Sequence, residues 1–92
     1  MRNVRGKSSK ALTVDIAEGY VSVNPLFLKP FDAESLKDFY HQIDKTQKEL
    51  RAERFPSKDV QAIRMRNLKL QRLYAAQMVI RNFARERRIS II

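Results

Sequence analysis

The residues that break helices constrain the fold of this chain most. After Phe31 the 92-residue sequence contains no glycine and a single proline, Pro56. Proline cannot continue a helix, and it disfavours helical geometry in the residue before it. We therefore expect two helices, over about 32–54 and 57–88. Because the break between them is short, they are predicted to pack as an antiparallel hairpin, which makes the fold class mainly α.

Each predicted helix starts at a residue with a capping side chain. Asp32 precedes the first helix, and Glu34 in its first turn suits the helix dipole. Phe31 and Leu36 then occupy the two positions of a hydrophobic staple. Ser57 is the corresponding cap for the second helix. The apolar stripe of the first helix predicts one buried face: Leu36, Phe39, Tyr40, Ile43 and Leu50.

The N-terminal third lacks the helical pattern. Residues 1–10 contain little that can be buried, so we expect a flexible basic tail ahead of a single small helical domain over 11–92. Apolar and polar residues alternate over 11–24, with a glycine in the middle, which predicts a short β-hairpin. The alternative is an extended arm that forms a strand only on a partner. Two prolines predict that residues 25–31 are extended, with apolar side chains packed on the helices.

The net charge of +9 is concentrated at the two ends of the chain. The first ten residues carry four basic and no acidic side chains, and residues 56–92 carry nine basic against two acidic ones. Between them the charge nearly balances. This segregation favours a polyanionic partner, and nucleic acid above anionic membranes or acidic proteins. Charge that serves only solubility is the alternative.

Arginine dominates the C-terminal basic region. Its planar guanidinium can donate to two phosphate oxygens at once, which suits nucleic-acid backbones. Cations near the end of a helix also complement the helix dipole, so a purely structural role is the alternative. The predicted nucleic-acid-binding residues come from both ends of the chain: Arg2, Arg5, Lys7, Lys10, Arg81, Arg85, Arg87 and Arg88.

Apolar residues on the second predicted helix do not form one stripe. They point in two directions around the helix, so most of its circumference has to be covered. The N-terminal segment could cover the second face, or a partner protein or second copy could do so. If a partner protein or a second copy covers it, the predicted interface consists of six residues: Leu68, Leu73, Tyr74, Val79, Ile80 and Phe83.

No pattern of catalytic, metal-binding or cofactor-binding residues is present. The chain has no cysteine, and His41 is its only histidine. Gly6-Lys7-Ser8 matches only the end of a phosphate-binding loop, because the position of the other glycine, five residues upstream, is Met1. We therefore expect no enzyme activity, no metal and no cofactor. The sequence shows neither a secretory signal nor an apolar run long enough to span a membrane, which predicts a soluble intracellular protein.

Two functions remain from the sequence. The first is a non-catalytic helical protein that binds the phosphate backbone of RNA or DNA, with weak sequence specificity, as a subunit of a larger assembly. The second is a structural or regulatory module that oligomerises or docks on a protein through its long second helix.

Overall fold

The computed structural model of the chain describes residues 3–4, 7–54 and 58–91. Strand β1 (Asn3–Val4) pairs antiparallel with strand β2 (Lys7–Ser8). Within the described residues, helices then follow in the order α1 (Ser9–Ala17), α2 (Pro25–Leu28), α3 (Ala33–Ala52) and α4 (Val60–Glu86). The fold is mainly helical, as the sequence predicts.

The hydrophobic core lies where three helices meet. Helix α1 packs against both α3 and α4, which also contact each other. An aromatic cluster forms part of this core: the Phe31 and Phe39 rings stack with centroids 5.3 Å apart, and the Phe27 ring centroid lies 6.0 Å from that of Phe31. The largest side chains with almost no exposed surface are Leu28, Leu36, Phe39, Ile43, Leu73, Ile80 and Thr13. The core is therefore built from more than the two predicted helices.

The predicted β-hairpin over 11–24 is wrong, because Ser9–Ala17 form α1. Leu12 and Ile16, one helical turn apart, are both buried, whereas Val14 between them is 47% exposed. Apolar residues at every second position lie on one face of a strand, and those four positions apart lie on one face of a helix. The pattern therefore fits both the strand period and the helix period. Packing against α3 and α4 selects the helix.

Gly19 ends a helix instead of forming a hairpin turn. Its φ of 82° is in the left-handed region, which costs glycine little. Its N–H donates to the Ile16 carbonyl at 3.0 Å, and the N–H of Tyr20 donates to the Asp15 carbonyl at 2.9 Å. These two bonds define a Schellman motif that satisfies the Asp15 and Ile16 carbonyls near the end of α1.

The predicted flexible tail is only partly described. Lys7–Ser8 pair with β1, and the Ser8 hydroxyl caps α1 by accepting from the Ala11 N–H at 3.2 Å. Ser9 and Lys10 already belong to α1. The described part of this segment therefore has regular structure, and residues 1, 2, 5 and 6 lie outside the described residues.

A short helix replaces the predicted extended segment over 25–31. The Asn24 side chain accepts from the Phe27 N–H at 2.8 Å, and Pro25 takes the first helical position, where its missing N–H is not needed. Phe27 and Leu28 are buried, in agreement with their predicted packing, whereas Leu26 is exposed.

The two long helices begin at acidic caps. Asp32 caps α3 in a capping box with Ser35, whose N–H donates to the Asp32 carboxylate at 2.8 Å. Asp59 caps α4, whose first residue, Val60, lies three residues after the predicted start. The predicted cap Ser57 lies outside the described residues. Helix α4 also ends two residues before the predicted boundary, at Glu86.

Candidate nucleic-acid interface

Four basic side chains lie together at the C-terminal end of α4, and we call them the arginine cluster: Arg81, Arg85, Arg87 and Arg88. All four residues are exposed. Arg81 and Arg85 lie on α4 itself, and a second Schellman motif ends the helix at Arg87 and Arg88, with the Ile89 N–H donating to the Ala84 carbonyl at 2.8 Å. Arg88 holds the left-handed position of this motif with φ 57°, where glycine is the usual residue.

Uncharged groups orient three of these guanidinium groups. Arg81 donates from Nε to the Tyr40 hydroxyl at 2.8 Å, which joins the end of α4 to α3. Arg85 donates from Nη2 to Oδ1 of Asn82 at 2.6 Å. The Arg87 guanidinium lies 4.3 Å from the centroid of the Phe83 ring. These contacts hold the side chains in place without neutralising their charge.

The ion pairs seen between described side chains lie away from the arginine cluster. They join Lys7 to Asp15, Lys48 to Asp44 and Lys69 to Glu18. No described carboxylate lies within ion-pair distance of the four arginines. The end of α4 therefore carries net positive charge, which Glu86 and the partial negative charge of the helix terminus offset only in part.

The N-terminal part of the predicted interface is less available. Lys7 is bound to Asp15 of α1, so its charge is already compensated. Lys10 is exposed on the first turn of α1. Arg2 and Arg5 lie outside the described residues. No contact among the described residues brings Lys7 or Lys10 to the arginine cluster.

The six residues of the predicted partner interface differ in burial. Leu73, Ile80 and Phe83 are buried in the chain's own core. Val79 is half-buried against that core. Leu68 and Tyr74 are exposed, at 38% and 58%. The segment before α3 packs on the C-terminal half of α4. Cover by the N-terminal segment was one of the two possibilities that the sequence left open for the second apolar face of this helix.

The N-terminal half of α4 has no such cover. From 60 to 72 no residue of the helix is buried, and the end of α1 reaches this half at Lys69 and Arg72. An open groove of about 640 Å³ lies on this half, beside the last turn of α3, and we call it the tip groove. Its lining residues are Arg51, Arg64, Asn67, Leu68, Leu70, Gln71 and Tyr74.

Sequence reasoning did not single out the tip groove. Arg64, Asn67, Gln71 and Tyr74 recur at spacings of three and four, so they share one face of α4. That polar face is visible in the sequence. Its proximity to Arg51 of α3 appears only once the two helices pack.

Comparison with known proteins found no match among protein-family models, curated proteins or solved structures. None of the helices described over 7–54 and 58–91 is long and apolar enough to cross a membrane. Among the same residues, no three histidine, aspartate or glutamate side chains are placed to share a metal ion.

Proposed function

We propose that this protein is a non-catalytic nucleic-acid-binding protein that contacts the phosphate backbone through the arginine cluster, as a subunit of a larger assembly. The proposal takes α3 and α4 as the antiparallel pair that the sequence predicts. The observation that supports it is the orientation of Arg81, Arg85 and Arg87 by uncharged partners, with no described carboxylate to compensate them.

A guanidinium held by a neutral group keeps donors available for phosphate oxygens. Arg81 uses Nε for Tyr40, so its two terminal nitrogens remain for an outside acceptor. Arg85 uses one terminal nitrogen for Asn82. Such contacts read the charge and spacing of phosphates and carry little sequence information. Binding to RNA or DNA is therefore expected to be electrostatic and weakly sequence-specific.

The N-terminal basic residues extend this proposal. Lys10 is exposed and can approach phosphate directly. Lys7 has to exchange Asp15 for phosphate, so its contribution is expected to be smaller. Arg2 and Arg5 enter the proposal on the sequence alone.

A salt titration of the intact chain tests this function. Binding of a fluorescent oligonucleotide would be measured by anisotropy at several salt concentrations. Replacing all four cluster arginines by glutamine should lower affinity and flatten the salt dependence by about 3–4 units of log–log slope, since each phosphate contact contributes about 0.7–0.9.

The matched control removes the same charge elsewhere. Its substitutions are Lys29→Gln, Lys37→Gln, Lys45→Gln and Lys48→Gln, all at exposed positions. Circular dichroism would show that both variants keep their helices. If the control weakens binding as much as the arginine variant, net charge alone accounts for the affinity. If the intact chain binds no nucleic acid at low salt, the proposed function is wrong.

Exposed apolar side chains on α4 favour a second candidate, a protein-interaction module. Val60, Met65, Leu68, Tyr74 and Met78 are all more than a third exposed. Association through these residues would bury them, and light scattering with size-exclusion chromatography tests for it. A monomer at high concentration would exclude self-association and leave docking on another protein.

A further inference from the structure

We infer that the tip groove binds an unpaired base of a single-stranded nucleic acid, with Tyr74 as the stacking surface and Arg51 and Arg64 on the adjoining phosphates. This inference rests on the proposed function and adds the preferred form of nucleic acid. It assigns a role to a second surface of α4, whose Tyr74 lies about 10 Å along the helix from Arg81, at 1.5 Å per residue.

Tyr74 supplies the aromatic surface. It is 58% exposed on the outer side of α4, and no hydrogen bond to a described residue restrains its hydroxyl. A base stacks on an aromatic ring whatever its identity, because every base has a π face. An aromatic side chain that is needed for packing would be covered, as Phe39 is.

Polar groups beside the ring suit the edge of a base. Gln71 lies one turn and Asn67 two turns before Tyr74 in the same groove. Each amide has both donors and an acceptor, so it can pair with the exposed edge of an unpaired base. Leu68 and Leu70 supply apolar surface for the flat face.

The charge of the groove selects a polyanion. Arg51 comes from the last turn of α3 and Arg64 from the second turn of α4, so guanidinium groups enter from both helices. No carboxylate occurs among the described residues that line the groove. A second copy of this chain would bring the same arginines together at a net charge of +9 each, which disfavours it as the occupant.

A duplex cannot use this site in the same way. Its bases are stacked on each other, so only the phosphates could contact Arg51 and Arg64. The groove therefore predicts that a single strand binds more tightly than a duplex of the same sequence. It also predicts that a strand with abasic positions, which keeps its phosphates, loses the contribution of Tyr74.

The experiment compares Tyr74→Ala with the intact chain on three probes: a single strand, its duplex, and an abasic strand of equal length and charge. Loss of one stacked base should lower single-strand affinity about 5- to 150-fold. Duplex and abasic affinities should stay within about twofold. Tyr74→Phe, which keeps the ring, should retain single-strand affinity.

Tyr20→Ala is the matched control, because Tyr20 is also highly exposed but lies outside the groove. It should leave all three affinities unchanged. An equal loss for Tyr74→Ala on all three probes, or no loss on any, would overturn the inference while leaving phosphate binding intact. Failure of the intact chain to bind any probe would overturn the proposed function as well.

A protein partner gives a different result in the same assay. A fluorescent peptide of alternating glutamate and leucine residues represents an acidic amphipathic partner. If Tyr74→Ala releases this peptide but has no base-dependent effect on oligonucleotides, the groove is a protein-docking site and the inference is wrong.

Discussion

Arg72 of α4 donates from Nη1 to the carbonyl oxygen of Ala17, the last residue of α1, at 2.9 Å across 55 positions of sequence. The last carbonyls of a helix have no partner within it, so this bond satisfies one of them from another helix. Lys69 adds an ion pair to Glu18 at 3.2 Å, one turn earlier on α4. Together they fix the end of α1 on the middle of α4.

Arg72→Met should lower the free energy of unfolding by about 1–2 kcal/mol, since it removes a charge-assisted hydrogen bond at a half-buried position. Urea denaturation followed by circular dichroism measures this. Arg64→Met, an exposed arginine on the same helix, should change stability by less than about 0.5 kcal/mol. Equal effects of the two substitutions would show that the bond to Ala17 contributes nothing.

Gly19→Ala should lower stability by about 1–2 kcal/mol, because alanine is strained at a φ of 82°. Its Cβ would also lie 2.9 Å from Cζ of Arg72, so the guanidinium would have to move away from Ala17. A double-mutant cycle with Arg72→Met separates the two causes. If the close contact matters, Gly19→Ala costs less in the methionine background. An unchanged cost would assign the whole effect to backbone strain.

Arg88→Gly should raise the free energy of unfolding by about 1 kcal/mol, because glycine adopts the left-handed position of the Schellman motif without strain. Thermal denaturation should show a higher Tm. Arg87→Gly removes the same charge at a φ of −97° and loses the contact with Phe83, so it should destabilise the protein. Equal shifts of the same sign would indicate that charge, and not backbone geometry, controls stability here.

Gln47→Leu should stabilise the protein by about 1–2 kcal/mol. Gln47 is 3% exposed on α3, and its Nε2 has no hydrogen-bond partner among the described residues. A buried polar group without a partner carries a desolvation cost that leucine of similar size does not. The control is Gln61→Leu at an exposed position of α4, which should change stability little. A loss of stability in Gln47→Leu would mean that its amide makes a bond that matters.

Local signals in the sequence were sufficient for α3 and α4. Asp32 predicts the start of α3 because capping depends on residues three apart, and Pro56 predicts a break because its ring restricts its own backbone. The same local reasoning was wrong for α1. Leu12 and Ile16 satisfy a strand period and a helix period together, so nine residues could not distinguish the two.

The two candidate sites also differ in how far the sequence could predict them. The arginine cluster was predictable, since four basic residues near the end of one helix are close together in any packing. The tip groove was not, because Arg51 and Arg64 are 13 positions apart and belong to different helices. Of the six predicted interface residues, the structure buries Leu73, Ile80 and Phe83 within the chain.

The sequence by itself determined the helical character of residues 33–52 and 60–86, because proline, capping residues and apolar period act over a few neighbouring positions. It also determined the excess of positive charge, which is additive and independent of the fold. Only the tertiary structure decided that Ser9–Ala17 are helical and which half of α4 they cover. Burial depends on contacts between distant segments, such as Ala17 with Arg72, and local pattern does not specify those contacts.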